Sequence, residues 1–263
     1  MSAQTAIATH AFARDGYLVV RGLCPEALRA RLLDIVRQHL SPLLGPVEFE
    51  ADVGYPGSPA NRSVEGGDTP RRLLNAFTRD AAFREWSIGH EVGDQLRAML
   101  GEELGRTLDA ADVLVSQCHH NCVMTKYPGH SSATLWHQDI RYWSFDRPEL
   151  ISVWLALDEE NAGNGSLNVI PGSHRLALDR GRLDGALFLR TDLPENRKLI
   201  DAAVPVVLEP GDVLFFHCRL FHAAGMNLTD RVKHSVVFTY HAADNQPIPE
   251  TRSASLPSIP LQL

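Results

Sequence analysis

The residues best placed to do chemistry together lie in Thr134-Leu135-Trp136-His137-Gln138-Asp139, an apolar run with an imidazole and a carboxylate two positions apart. On a β-strand, positions i and i+2 share a face, so His137 and Asp139 are expected to grip one ion side by side. A second imidazole from elsewhere in the chain would complete a two-histidine, one-carboxylate set. That set suits non-haem Fe(II), because it holds the ion on one face and leaves other positions open. His217, His222, His234 and His241 all compete for the role.

Arg141 continues the parity of His137 and Asp139 and is expected to face the same cavity. There its planar guanidinium would bind a carboxylate, phosphate or phosphonate on the substrate. An ion pair with Asp146 or Glu149 is the alternative, and the sequence does not separate the two readings. Lys126, inside the preceding apolar run, carries the same pair of readings. The run Cys118-His119-His120-Asn121-Cys122 invites a zinc site. Adjacent strand residues point to opposite faces, however, so five consecutive residues do not wrap a tetrahedral ion, and buried thiols with a pocket-facing histidine are the expected uses. His174, in Pro171-Gly172-Ser173-His174, is expected to shape its turn rather than touch a ligand.

These residues need elements to position them. Residues 12–23 read as the end of a helix, a turn at Asp15-Gly16 and a short apolar strand. Residues 25–40 carry Leu28, Leu32, Leu33, Ile35, Val36 and Leu40 at helical spacing. Residues 41–67 are rich in Gly, Pro, Ser and Asn and are expected to form a long loop, either a lid or a solvated excursion. Residues 70–104 are expected to be mostly helical, ending near Gly101 and Gly105. From residue 111 onward the texture changes to short β-type runs at 113–115, 123–127, 135–142, 151–157, 166–170, 203–208, 213–216 and 235–240. Turns such as Pro128-Gly129, Asn164-Gly165 and Pro210-Gly211-Asp212 divide them. Helices in front and many short strands behind imply a mainly β protein with flanking helices, a sandwich or jelly-roll barrel. The whole chain, 1–263, reads as one domain, with 1–110 a largely helical buttress, 111–242 the barrel core and 243–263 a tail. Residues 175–198 look like an insertion bordering the pocket.

The formal charge of −7 argues against a nucleic-acid partner or an acidic membrane surface, since no basic stripe is available. Four irregularly spaced cysteines make no disulfide framework. No leader or membrane-spanning run is visible, so a reducing, cytoplasmic setting is expected. Nothing in the sequence sets the oligomeric state.

Taken in order, Asp15-Gly16-Tyr17-Leu18-Val19-Val20, Trp136-His137-Gln138-Asp139, Trp154, Asn164-Gly165-Ser166-Leu167, Pro171-Gly172-Ser173-His174, Gly211-Asp212, and His222 with Arg231 resemble the phytanoyl-CoA dioxygenase family of Fe(II)- and 2-oxoglutarate-dependent oxygenases. The resemblance spans nearly the whole chain and implies a double-stranded β-helix of the cupin-like, jelly-roll kind. It also implies that His137, Asp139 and His222 are catalytic iron ligands, and the nine-residue step to Arg231 is what selects His222 over its competitors. Arg231 would clamp the distal carboxylate of 2-oxoglutarate, with Trp154 beside the cosubstrate and Thr134 hydrogen-bonding it. Some relatives carry a hydroxyl residue two places after the second histidine, where this chain has Ala224.

The implied reaction uses Fe(II), 2-oxoglutarate and O2. It oxidises an unactivated C–H bond of a small-molecule substrate and converts 2-oxoglutarate to succinate and CO2. Arg141 and Lys126 point to a compact anionic metabolite. Related halogenases lack the carboxylate, so Asp139 favours hydroxylation. The alternatives are a non-catalytic jelly-roll protein that binds a metal or ligand, and a metal-dependent hydrolase or isomerase indifferent to O2.

Overall fold

The computed structural model describes residues 3–262. Helix α1 (Ala3–Asp15) leads into strand β1 (Tyr17–Val20), helix α2 (Glu26–Leu40), strands β2 (Val47–Phe49) and β3 (Pro70–Leu74), and helices α3 (Ala76–Arg79), α4 (Ala81–Ile88) and α5 (His90–Leu104). Strands β4 (Val113–Ser116), β5 (Cys122–Lys126), β6 (Thr134–His137), β7 (Leu150–Ala156) and β8 (Leu167–Val169) follow. Helix α6 (Pro194–Ile200) then precedes β9 (Val204–Pro205), β10 (Val213–His217), β11 (His222–Ala224), β12 (Lys233–Ala242) and β13 (Ile259–Pro260). A nine-stranded sheet runs β1-β10-β7-β12-β5-β3-β2, with β4 beside β12 and β13 beside β4. A four-stranded sheet runs β6-β11-β8-β9. The two sheets form the expected jelly roll, with helices against one of them.

Strand parity explains how three layers arise from one sequence. In β7, Ile151, Val153 and Leu155 join the core that includes Phe83, Trp86 and Leu96 of the helices. Their alternates Trp154 and Ala156 face the other way, into a core shared with Leu167 and Val169 of the small sheet. The long strand β12 repeats the pattern, with Val236, Phe238 and Tyr240 on the helix side and Val237 on the barrel side. All ten β12 residues are buried, because both faces are covered. Each large apolar side chain so buried is worth about 1.5–3 kcal/mol, and the helical layer is held by that sum. No described helix is long and apolar enough to cross a membrane.

Three expectations are corrected. Residues 70–104 do not begin helically: β3 fits between β2 and β5, burying Arg71 and Leu73 alternately with half-buried neighbours. Leu73, Leu74 and Phe77 satisfy helical spacing too, which is why a short run cannot separate the two periods. The 41–67 stretch is not all loop, since Val47 pairs with Leu73 across β2 and β3. The first 110 residues thus contribute three strands to the large sheet. The C-terminal segment also packs back: Ile259 pairs with Val115, and Leu261 joins the helix-side core.

Asp212, in the turn entering β10, ties the N-terminal strand to the barrel. Its Oδ1 accepts from the Gly22 amide at 2.8 Å and its Oδ2 from the Glu209 amide at 2.8 Å. Arg21 pairs with the same carboxylate. Asp212→Ala leaves two amide donors without their acceptor and should lower stability by about 2–3 kcal/mol, read as a shifted urea midpoint at unchanged slope.

Candidate metal centre

His137 ends β6 and His222 begins β11, and the two are direct cross-strand partners. Directly opposed residues project to one face of a sheet, so their rings lie 4.3 Å apart, centroid to centroid. Each ring is oriented by its own backbone. His137 Nδ1 donates to the Leu135 carbonyl at 2.8 Å, and His222 Nδ1 donates to the Leu220 carbonyl at 3.0 Å. A carbonyl can only accept, so these bonds set the tautomer and leave both Nε2 lone pairs free. Both lone pairs converge on Asp139: its Oδ1 lies 3.6 Å from His137 Nε2 and 3.5 Å from His222 Nε2. The three ligand atoms fall within 4.8 Å of one another, and all three residues are buried.

Burial pushes the His222 imidazole down to about 4, with His137 adding to the effect, so it is neutral as a metal ligand must be. For Asp139, burial works toward protonation, but the imidazoles of His120, His222 and His137 outweigh it and hold the carboxyl well below its ordinary range. Ser152 Oγ donates to Asp139 Oδ2 at 3.2 Å, and His120 Nδ1 stands 3.5 Å from the same oxygen.

The strand does not continue through Asp139 as parity alone implied. β6 stops at His137, Gln138 is extended, and Asp139–Tyr142 form a 3₁₀ turn. One extended residue still delivers Asp139 to the ligand side. Beyond it the period changes from two to three residues, so Arg141 does not share the pocket of His137 and Asp139.

Deeper in the barrel lies a cluster of charge. Lys126 of β5 and Lys233 of β12 are cross-strand partners. Lys233 Nζ donates to Glu160 Oε2 at 2.7 Å and lies over the Trp154 ring at 5.4 Å. Glu160 also accepts from Trp154 Nε1 at 2.7 Å and from Ser235 Oγ at 2.6 Å. Lys126 Nζ donates to the carbonyls of Ser132, at 3.1 Å, and Gly225. Burial, then the nearby Lys233 and Arg71 charges, push the Lys126 amine down to about 7. Arg71 donates to Ser132 Oγ at 2.6 Å, to Glu50 Oε2 at 3.1 Å and to Thr134 Oγ1 at 3.2 Å. Gly165 makes the close packing possible: at φ +76 a Cβ there would lie 2.6 Å from the Gly225 carbonyl and 2.9 Å from Lys126 Cδ.

Thr134, Trp154 and Lys126 therefore line one pocket with the triad, and Ala224 stands where a hydroxyl was noted as missing. Arg231 does not. It is exposed, in the segment before β12, and its amide and carbonyl serve a local turn with Asn227 and Thr229. The inward cation is Lys233, two residues on and on the barrel-facing parity of Ser235 and Val237. That parity was readable in the sequence, since β12 alternates from Lys233 onward. Lys126, expected as a substrate contact, lies in the triad pocket as the cross-strand partner of Lys233.

Glu160, and Arg71 with Glu50, lie outside the sequence expectations: Glu160 follows β7 in a loop, Arg71 sits on β3 and Glu50 in the 3₁₀ turn after β2, whereas His120 lines the pocket as a histidine of the Cys118–Cys122 run was expected to do. The competing imidazoles are engaged elsewhere: His217 with Glu103 at 2.9 Å, His234 with Asp158 at 2.6 Å and His241 with Ser258 at 2.7 Å. The Cys118–Cys122 run bends apart instead of forming a strand. His119 meets Ser253 at 2.7 Å, and Asn121 accepts from the Phe77 amide. His174 packs under Gly16, shaping the turn as expected.

A family model described as phytanoyl-CoA dioxygenase matches residues 12–235. The human peroxisomal phytanoyl-CoA dioxygenase is 31% identical over 249 residues, covering 89% of this chain and 67% of that protein. The ectoine dioxygenase of Sphingopyxis alaskensis is 26% identical over 255 residues, covering 90% of this chain and 75% of that protein. Its crystal structure with 2-oxoglutarate and 5-hydroxyectoine superposes with a TM-score of 0.75 at 20% identity, over 99% of this chain and 86% of that one. The epimerase SnoN, in complex with Fe3+, alpha ketoglutarate and nogalamycin RO, gives 0.71 at 19% identity, over 99% and 96%.

The Glu160 hub yields a test that needs no metal. Glu160→Gln removes the charge that pairs buried Lys233 and should cost about 3–5 kcal/mol, measured by urea unfolding at neutral pH.

Proposed function

The chain belongs to the phytanoyl-CoA dioxygenase family of Fe(II)- and 2-oxoglutarate-dependent oxygenases, and on that premise we propose that His137, Asp139 and His222 hold the iron of an enzyme that oxidises a C–H bond of a small molecule. The observation that carries this reading is the convergence of two tautomer-locked Nε2 atoms and one ionised carboxylate on a common point. The donor set fits Fe(II): two neutral imidazoles and one carboxylate leave positions for a bidentate cosubstrate and O2. When bound, iron and 2-oxoglutarate supply the oxidising chemistry, with succinate and CO2 as co-products.

The chain's own residues then have definite tasks. Lys233, not Arg231, is positioned for the distal carboxylate of 2-oxoglutarate, flanked by Lys126, with Thr134 and Trp154 on the walls. A lysine gives a compact charge in place of an arginine fork, and Glu160 holds it in place before the cosubstrate enters. Electrostatic balance supports the assignment. With Lys126 protonated, Arg71, Arg72, Lys126 and Lys233 face three carboxylates, Glu48, Glu50 and Glu160, leaving one positive charge. A divalent ion against Asp139 leaves another. The sum matches a dianion. Ser152 and His120 steady the non-ligating side of Asp139, keeping its Oδ1 aimed between the imidazoles. Asp139 also occupies the position that a halide would need, which favours hydroxylation.

Mixed anaerobically with Fe(II) and 2-oxoglutarate, the protein should develop a visible charge-transfer band that His137→Ala abolishes. A band of full intensity in that variant would refute the ligand assignment. Lys233→Met should weaken 2-oxoglutarate at least tenfold in titrations of this band, while Arg231→Gln leaves it unchanged.

Cosubstrate affinity should also depend on pH through Lys126. Its amine titrates near 7 in the free protein, and a dianion favours the protonated form. Affinity should therefore be level below about pH 7 and fall by up to about tenfold per unit above it, with Lys126→Met flattening the profile.

A further inference from the structure

A second cavity of about 590 Å³ opens on the far side of His120 and Arg72, which line both it and the triad pocket. Three separate segments contribute aromatic rings to its lining: Tyr55 from the 41–67 stretch, Tyr142 from the turn carrying Asp139, and Phe188 from the 175–198 insertion. They touch one another. The Tyr55 and Tyr142 hydroxyls are 3.1 Å apart, and Phe188 meets Tyr55 edge-on at 5.8 Å. Phe188 and Tyr142 also stand edge-on to the His137 ring, at 5.9 and 6.2 Å, so the cavity abuts the metal centre.

Arg141 lies in this wall, with its guanidinium 3.8 Å above the Phe188 ring and 4.6 Å from that of Tyr142. Its Nη1 is buried and has no hydrogen-bond partner among the described residues. Neither acid expected to pair with it does so: Glu149 takes Arg147, and Asp146 accepts from the Gln246 amide. Arg252, on the same cavity, likewise forms no ion pair among the described residues, whereas Arg72 is spent on Glu48 at 3.1 Å. In a chain with 32 acidic side chains, Arg141 thus stands partly exposed on the cavity wall with no carboxylate partner among the described residues, and its planar fork suits an anion entering there.

Resting on the assignment of the neighbouring triad as the iron site, we propose that this cavity receives the organic substrate and that the substrate is an organic anion. Arg141, assisted by Arg252, binds its carboxylate or phosphate, and Tyr55, Tyr142 and Phe188 pack its apolar body. The anion is then held one aromatic ring away from His137, so the oxidised carbon lies only a few bonds from the charged group. This station is separate from the lysine end, which the cosubstrate occupies.

The test uses metal-free, full-length protein and defined probes: phenylacetate, phenyl phosphate and the neutral phenylacetamide, followed by calorimetry. At least one anion should bind saturably and the amide at least tenfold more weakly, the relative strength of the two anions distinguishing carboxylate from phosphate recognition. Arg141→Gln should weaken the anion about tenfold or more and leave the amide unchanged. Arg141→Lys, which retains charge and packing, should fall between and keeps the test valid if the glutamine variant fails to fold. Lys233→Met and Arg231→Gln should leave the probe untouched.

Amide binding as tight as the acid, no saturable anion binding, or anion binding lost in Lys233→Met but kept in Arg141→Gln would each overturn the proposal. None of these results bears on the visible band with Fe(II) and 2-oxoglutarate, so the iron assignment stands or falls apart from it.

Discussion

The pairing of His137 with His222 across β6 and β11 is the constraint on which the centre depends. Two imidazoles placed directly opposite in an antiparallel ladder share a face without any help from their side chains. What remains is rotation about χ angles, and the carbonyls of Leu135 and Leu220 settle that by accepting from Nδ1. Asp139 needs a different device, because a third ligand in the same ladder would crowd the first two. The strand therefore ends, and one extended residue followed by a 3₁₀ turn swings the carboxylate between the rings. The four-stranded sheet thus sets the spacing of the ligands. The large sheet and its helical layer supply the rigidity that keeps that spacing.

Charge in the barrel is arranged by the same parity that arranges its apolar residues. β12 places Lys233, Ser235 and Val237 on the inner face and Val236, Phe238 and Tyr240 against the helices. An ammonium buried this way would be expensive alone. Glu160 offsets the cost by gathering Lys233, Trp154 and Ser235 onto one carboxylate, and Glu50 does the same for Arg71 and Ser132. Lys126 has carbonyls but no carboxylate of its own, and burial, then the Lys233 and Arg71 charges, push its amine down to about 7. The polar interior is thereby close to neutral but short of one negative partner.

The strands, the jelly-roll class and the three converging residues were legible because each rests on local periodicity or on a short ordered motif. Arg231 was misread for an instructive reason. Chain spacing from His222 points to Arg231, but strand parity decides which cation turns inward, and β12 begins only at Lys233. His222 was selected by that same step, yet it is its register with His137 that places it at the centre. The parity that would place Arg141 beside the triad requires a strand, and β6 ends four residues earlier; the sequence leaves open an ion pair with Asp146 or Glu149, and neither acid pairs with it. β3 was hidden because five residues containing two leucines satisfy both periods. Glu160 and Glu50 were invisible for a deeper reason: a lone glutamate in a turn has no signature until the lysine or arginine it meets, 73 or 21 residues away, is known.

The two anion stations differ in a way that allows each to choose its ligand. At the lysine end Lys233 is already paired and Lys126 is held by carbonyls, so a simple acid arriving there must compete with Glu160 for Lys233. An acid that can also chelate a metal beside Asp139 gains a second attachment, and only such a ligand has reason to settle there. At the outer cavity the order is reversed. Arg141 has a donor to spare and no metal ligand faces it, so an ordinary organic anion is favoured and chelating ability adds nothing. His120 and Arg72, shared by both walls, stand between the stations. On the proposed assignment of the two stations, discrimination between cosubstrate and substrate follows from how many partners each cation already has, rather than from the shape of either pocket alone.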